Sequence, residues 1–110
     1  MRRYIVIKTE RKYRKIFIDE ILYCMAEGAY TKLYLNNNEE IYDSKILKVV
    51  EKTLSNYNFF RINRSYLVNL DHCYELLTGE KPNIILSNKV KLCVSPPKMK
   101  NLRKLFCAYS

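Results

Sequence analysis

The chain is poor in the residues on which catalysis depends. Its 110 residues hold one histidine, two glycines and three prolines. His72 stands beside Asp71 in what reads as a surface turn, and no motif sets a Ser or Cys nucleophile next to it. Gly28 and Gly79 each mark a turn, so no glycine-rich loop exists to cradle a phosphate. Asp19, Glu20, Glu39 and Glu40 come as adjacent pairs in turns, the pattern of solvated loops rather than of an acid–base pair. No enzymatic activity, no cofactor and no small-molecule substrate is expected.

Metal and membrane signals are equally thin. No two of the four cysteines are spaced as Cys-x-x-Cys. His72 abuts Cys73, and neighbours on a strand point to opposite faces, so no metal site is expected. Cys24 and Cys93 lie in apolar strand patterns and read as small core residues. No apolar run is long enough to span a bilayer. Lys8 cuts short the run after Arg2 and Arg3, which argues against a signal peptide. Neither a basic amphipathic helix nor a lipid anchor is evident, so no membrane partner is expected. The reading is a cytoplasmic protein with reduced thiols. Its length suits one domain, residues 1–110, with one modest core.

What the chain has in quantity is positive charge. The net charge is +9. Residues 1–15 contain seven basic side chains against Glu10 alone. After Glu80 there is no acid, while Lys81, Lys89, Lys91, Lys98, Lys100, Arg103 and Lys104 follow. The middle, 16–80, is mildly acidic. Two basic ends around an acidic middle suggest a polyanion on one side of the molecule.

Most of the pattern is β. Tyr4 to Thr9 is β-branched and aromatic and predicts a strand; Arg14 to Ile18 predicts a second, with Ile16 and Ile18 on one face. Ile21 to Glu27 is apolar on both faces. After the Gly28-Ala29 turn, Tyr30 to Leu35 alternates, with Thr31, Leu33 and Leu35 inward and Tyr30, Lys32 and Tyr34 outward. Asn36-Asn37-Asn38 is a hairpin turn, and Glu39 to Tyr42 returns. Ser44 looks like an N-cap for a helix to about Ser55, striped by Ile46, Leu47, Val50 and Leu54. Cys73 to Leu77, Asn83 to Ser87 and Val90 to Val94 predict three more strands. Ser95-Pro96 opens a short terminal helix on Met99, Leu102 and Phe106. The fold class expected is mainly β (α+β): packed antiparallel sheets, one central helix and a short C-terminal helix.

The stretch Phe59 to Leu70 is the most informative. Phe59 and Phe60 can anchor its front, and Val68 and Leu70 its back. Between them Arg61, Asn63, Arg64 and Ser65 are held in place, with Ile62 the one apolar residue. Arg and Asn are the side chains that bond base edges bidentately, and Arg and Ser also hold phosphate oxygens. The ten tyrosines invite an RNA reading through base stacking, since Tyr30 and Tyr34 flank Lys32 on one strand face. The plainer reading is that most tyrosines plug the edges of a β core.

Three blocks resemble one family. Ile18 to Leu35 (Ile-Asp-Glu-Ile-Leu-Tyr-Cys-Met-Ala-Glu-Gly-Ala-Tyr-Thr-Lys-Leu-Tyr-Leu) is similar to the first block of LytTR DNA-binding domains. The helix from Ser44 follows at the family's spacing. Phe59 to Leu70, with Phe-x-Arg-Ile-x-Arg-Ser-Tyr-Leu-Val-Asn, resembles the family's most specific signature, and Val94-Ser95 with its basic helix resembles the last block. The likeness covers about residues 5–106. It implies a bacterial transcription regulator that binds double-stranded DNA through loops, in consecutive major grooves and the minor groove between. It implies readers at Tyr30 and at Asn63 and Arg64, within a DNA-binding set of Tyr30, Lys32, Arg61, Asn63, Arg64, Ser65, Lys98 and Lys100. A third reader, often Arg, would fall where this chain has Pro96 and Pro97; Lys98 or Lys100 is then expected to clamp phosphate instead. A second copy of the chain on the DNA is a further partner option. Such domains usually follow a receiver or other sensory domain, and the sequence leaves open whether this chain stands alone. A small basic RNA-binding protein and a protein–protein interaction module are the rival readings.

Overall fold

The computed structural model describes residues 2–108. Ten strands and two helices follow in the order β1 (Tyr4–Lys8), β2 (Tyr13–Phe17), β3 (Ile21–Glu27), β4 (Tyr30–Leu35), β5 (Glu40–Asp43), α1 (Leu47–Thr53), β6 (Phe59–Arg61), β7 (Tyr66–Asn69), β8 (Cys73–Leu77), β9 (Asn83–Leu86), β10 (Lys91–Cys93) and α2 (Met99–Phe106). They form three antiparallel sheets: β1-β2, β10-β9-β8, and a central sheet in the order β5-β4-β3-β7-β6. This is the mainly β class that the sequence predicts.

The period-2 alternation of β3, β4 and β7 divides their side chains between two cores. Cys24, Leu33, Leu35 and Leu67 face Ile5, Ile7 and Ile16 of the amino-terminal hairpin and Leu47, Val50 and Leu54 of the α1 region. Tyr23, Tyr34 and Val68 face the other way, toward Ile84, Leu86, Leu92 and Leu102. One modest core was expected; there are two, with the central sheet between them. Ile62 is fully buried in the second. It anchors the polar loop 62–65 from within.

Three details correct the sequence expectation. The helix does not start at Ser44. The Thr31 hydroxyl donates to the Lys45 carbonyl at 2.7 Å, and the buried Asp43 carboxylate accepts from the Lys45 N–H. These bonds hold the chain extended through Ile46, so α1 begins at Leu47 and has seven residues. Ile46 leaves the apolar stripe and is 48% exposed. Cys93 is exposed on β10, and Cys73 is the second buried thiol beside Cys24. Ser95 precedes a one-turn 3-10 segment, Pro96–Lys98, without a side-chain cap bond; its N–H instead donates to the Ile62 carbonyl at 2.8 Å.

Candidate nucleic-acid interface

Backbone hydrogen bonds bring five loops to one end of the central sheet. The Gly28-Ala29 turn joins β3 to β4 there, with Gly28 in the left-handed region at φ 60°. The Ala26 N–H donates to the Ser65 carbonyl at 2.8 Å, which sets loop 62–65 beside that turn. Ser95 is tied to Ile62 as above. The Ser44 N–H donates to the Lys8 carbonyl at 3.0 Å, so the 44–46 loop and the β1–β2 turn, 9–12, arrive at the same end. The β1–β2 turn and the loop before α2 thus reach this end from opposite faces of the sheet. The opposite end carries Asp19, Glu20, Glu39 and Asp71, of which the first three pair with Arg2 or Arg14.

The predicted site residues separate into two kinds. Arg61, at the end of β6, is fully engaged. Its Nε donates to the Asn63 carbonyl at 2.9 Å, its Nη2 to the Arg64 carbonyl at 2.6 Å and its Nη1 to Glu51 at 2.9 Å. Asn63 is engaged too. Its Oδ1 accepts from the Ser65 and Tyr66 N–H groups at 2.7 and 3.0 Å, and its Nδ2 donates to the Cys93 carbonyl at 2.8 Å. Lys32 is not a free cation. It pairs with Glu40 at 2.7 Å and lies against the rings of Tyr34 and Tyr42, with only 18% of its side chain exposed. The Glu40 carboxylate raises the Lys32 pKa above its ordinary value.

Arg64 is the contrast. Its guanidinium is exposed, with no hydrogen-bonded or ionic partner among the described residues. A concavity of about 530 Å³ places it with Lys48, Glu51, Arg61, Asn63, Ser95 and Lys98. Lys98 is exposed there, and Lys100 is exposed on the first turn of α2. Tyr30, 54% exposed, opens β4 next to the Gly28-Ala29 turn. It lines a separate cleft with Thr9, Lys12 and Tyr42. The structure therefore joins Arg61, Asn63, Arg64 and Lys98 in one concavity and sets Tyr30 on the neighbouring hairpin tip. Ser65 is half-buried between them. Sequence reasoning missed Lys48 and Glu51. Both sit on the polar side of α1, and nothing in their local pattern points to the loop they face.

Among the described residues, no group of three His, Cys, Asp or Glu side chains is placed to hold a metal ion, and no helix is long and apolar enough to cross a membrane. A sheet covered on both faces, with unpaired cations gathered on its end loops, defines a polyanion-binding module.

The family follows from comparison. The profile of the LytTr DNA-binding domain matches residues 11–106, and the chain belongs to the LytTR family of DNA-binding domains, which act in transcription regulation. The sensory transduction protein LytT of Oceanobacillus iheyensis is 35% identical over 72 residues, which are 66% of this chain and 29% of that protein's length. A LytTr DNA-binding domain from Bacillus cereus, from a protein described as a methyl-accepting/DNA response regulator, superposes with a TM-score of 0.77 at 21% identity. That match spans 93% of this chain and 94% of the other.

Proposed function

We propose that the domain reads the sequence of duplex DNA through the loops at the basic end of its central sheet, with Arg64 as the principal base reader. One observation carries the reading: on a loop fixed by Arg61 and Asn63, the Arg64 guanidinium alone is exposed and unpartnered among the described residues. A guanidinium of fixed origin suits the paired acceptors of a guanine edge in the major groove. Tyr30, on the adjacent tip, is the second reader. Arg11, Lys12, Lys48, Lys98 and Lys100 neutralise phosphates and supply most of the affinity. Arg61, Asn63 and Lys32 support the surface from within. In a bacterial cell the domain would direct a transcription regulator to its promoters, and the name of the Oceanobacillus relative suggests that a sensory input acts upstream.

The test begins with a duplex selected from a random pool. Arg64→Ala is expected to lower affinity for that duplex roughly tenfold to a hundredfold, the worth of a bidentate base contact, with non-specific binding little changed. Equal binding by parent and variant would refute Arg64 as a reader. Single-stranded RNA of equal charge, measured alongside, is expected to bind more weakly than the duplex.

A further inference from the structure

We infer that Glu51, an acid inside the basic concavity, is a positioning residue that sets sequence discrimination by holding Arg61 away from DNA; this rests on the reading of Arg64 above. The geometry is a three-way clamp. Arg61 turns one edge of its planar fork to two consecutive loop carbonyls, those of Asn63 and Arg64, and gives Nη1 to the Glu51 carboxylate on α1. Fixing two successive carbonyls fixes the peptide planes on either side of Arg64, and with them the direction of its side chain. Lysine, a point donor on a flexible stem, cannot make this set of bonds. The side chain of Arg61 is 21% exposed and that of Glu51 41%.

Glu51 does a second thing. Among the cations lining the concavity, it pairs only with Arg61; Lys48, Arg64 and Lys98 have no ionic partner among the described residues. Without the carboxylate, Arg61 is a mobile cation beside phosphates, and attraction to the backbone competes with its hold on the loop. The loop then loses its fixed direction while the surface gains one phosphate contact. Specific and non-specific binding move in opposite senses. A residue that only stabilised the fold would shift both together.

The experiment compares Glu51→Gln, Arg61→Lys, Arg64→Ala and, as a control for lost negative charge, Glu75→Gln on the exposed outer side of β8. Affinity for the selected duplex and for a scrambled duplex is measured across a salt series, with thermal melting of each variant. Glu51→Gln is expected to lower specific affinity about tenfold. It should leave scrambled-duplex affinity equal or higher and steepen the salt slope by about one unit. Arg61→Lys should lose specific affinity similarly, because charge without the fork does not hold the loop. Glu75→Gln should behave as the parent. The inference is overturned if Glu51→Gln keeps the parent's ratio of specific to scrambled binding, or if it weakens both duplexes alike in step with a lower melting temperature. If Arg64→Ala is itself silent, the reading beneath fails. If Arg64→Ala loses discrimination and Glu51→Gln does not, the clamp alone fails.

Discussion

Asn63 offers a sharp division between a base-reading role and a structural one. Its side chain makes three hydrogen bonds: two accepted from Ser65 and Tyr66, one donated to the Cys93 carbonyl at the end of β10. Asn63→Ala removes all three. A neutral hydrogen bond contributes about 0.5–1.5 kcal/mol net. The site is half-buried, so water can satisfy part of what is lost, and the sum comes to about 2 kcal/mol. For a domain of this size each kcal/mol moves the melting temperature by about 4–5 °C, so a fall of roughly 8–10 °C is expected. Asn63→Asp keeps both acceptor bonds but sets an oxygen against the Cys93 carbonyl, and a smaller fall is expected. Melting followed by circular dichroism gives these values, and duplex binding well below the transition gives the functional effect. If Asn63 met an adenine edge directly, both variants would lose specific binding with melting temperatures close to the parent. That result would refute the assignment of its amide to the loop.

Three further outcomes follow from charge and geometry. With about six phosphate contacts, the slope of log affinity against log salt should be near −5, and a slope near zero would remove DNA as the partner. Lys98→Ala should weaken specific and scrambled duplexes alike and flatten that slope by about one unit; selective loss of the preferred sequence would make Lys98 a base reader. Arg14 holds the Glu39 carboxyl down to about 2, from an ordinary value of 4.5. A depressed carboxyl stabilises the fold above its unfolded pKa and loses that stabilisation as the pH falls toward the folded one. Acid unfolding between about pH 4.5 and 2 should therefore be shallower in Glu39→Gln, and an unchanged profile would show the pair to be without effect.

Strand existence was legible because alternation is a local property: Thr31, Leu33 and Leu35 announce their face by spacing alone, and all three are buried. The second core was legible only in β3, where Ile21 to Glu27 is apolar on both faces. On β4 the second face carries Lys32 and Tyr34, which read as outward, and the cover over Tyr34 comes from β8 to α2, far along the chain. The start of α1 was misplaced for a related reason. Ser44 has the right chemistry for a cap, but Asp43 and Thr31 hold Lys45 in an extended path. Cys93 sits in an apolar run, yet register puts it beside Asn83 on the outer face of a short sheet. Among the candidate site residues, chemistry singled out the loop but not how its side chains are engaged. Arg61 and Arg64 look equivalent in the sequence. Glu51, which pairs with the first and leaves the second exposed, is ten residues from Arg61 and on another element.

The covering of both sheet faces also bears on the choice between nucleic acids. A sheet that binds single strands by stacking needs an open aromatic face. Here Tyr23 stacks on Tyr34 at 4.2 Å between centroids and meets Tyr66 edge-on at 5.9 Å, a cluster set against the second core. Burial pushes the Tyr23 hydroxyl pKa up to about 12. These rings are packing, and they leave the two covered faces of the central sheet closed to a run of bases. At the strand ends Tyr30 is exposed on one tip, Arg64 on the next, Lys98 beside it and Lys12 across a cleft. Strands in a sheet lie about 4.8 Å apart, so tips on neighbouring hairpins stand roughly one to two strand spacings apart, about 5–10 Å. That is close to the width of a major groove, about 12 Å. Loops so spaced can straddle or enter a duplex groove, whereas a flexible single strand has no fixed groove to match them. Lengthening the Gly28-Ala29 turn by two residues should thus cost duplex binding more than single-strand binding, because it moves Tyr30 relative to Arg64 without changing any charge. Equal losses on both nucleic acids would mean that charge alone, and not the spacing of the tips, governs recognition.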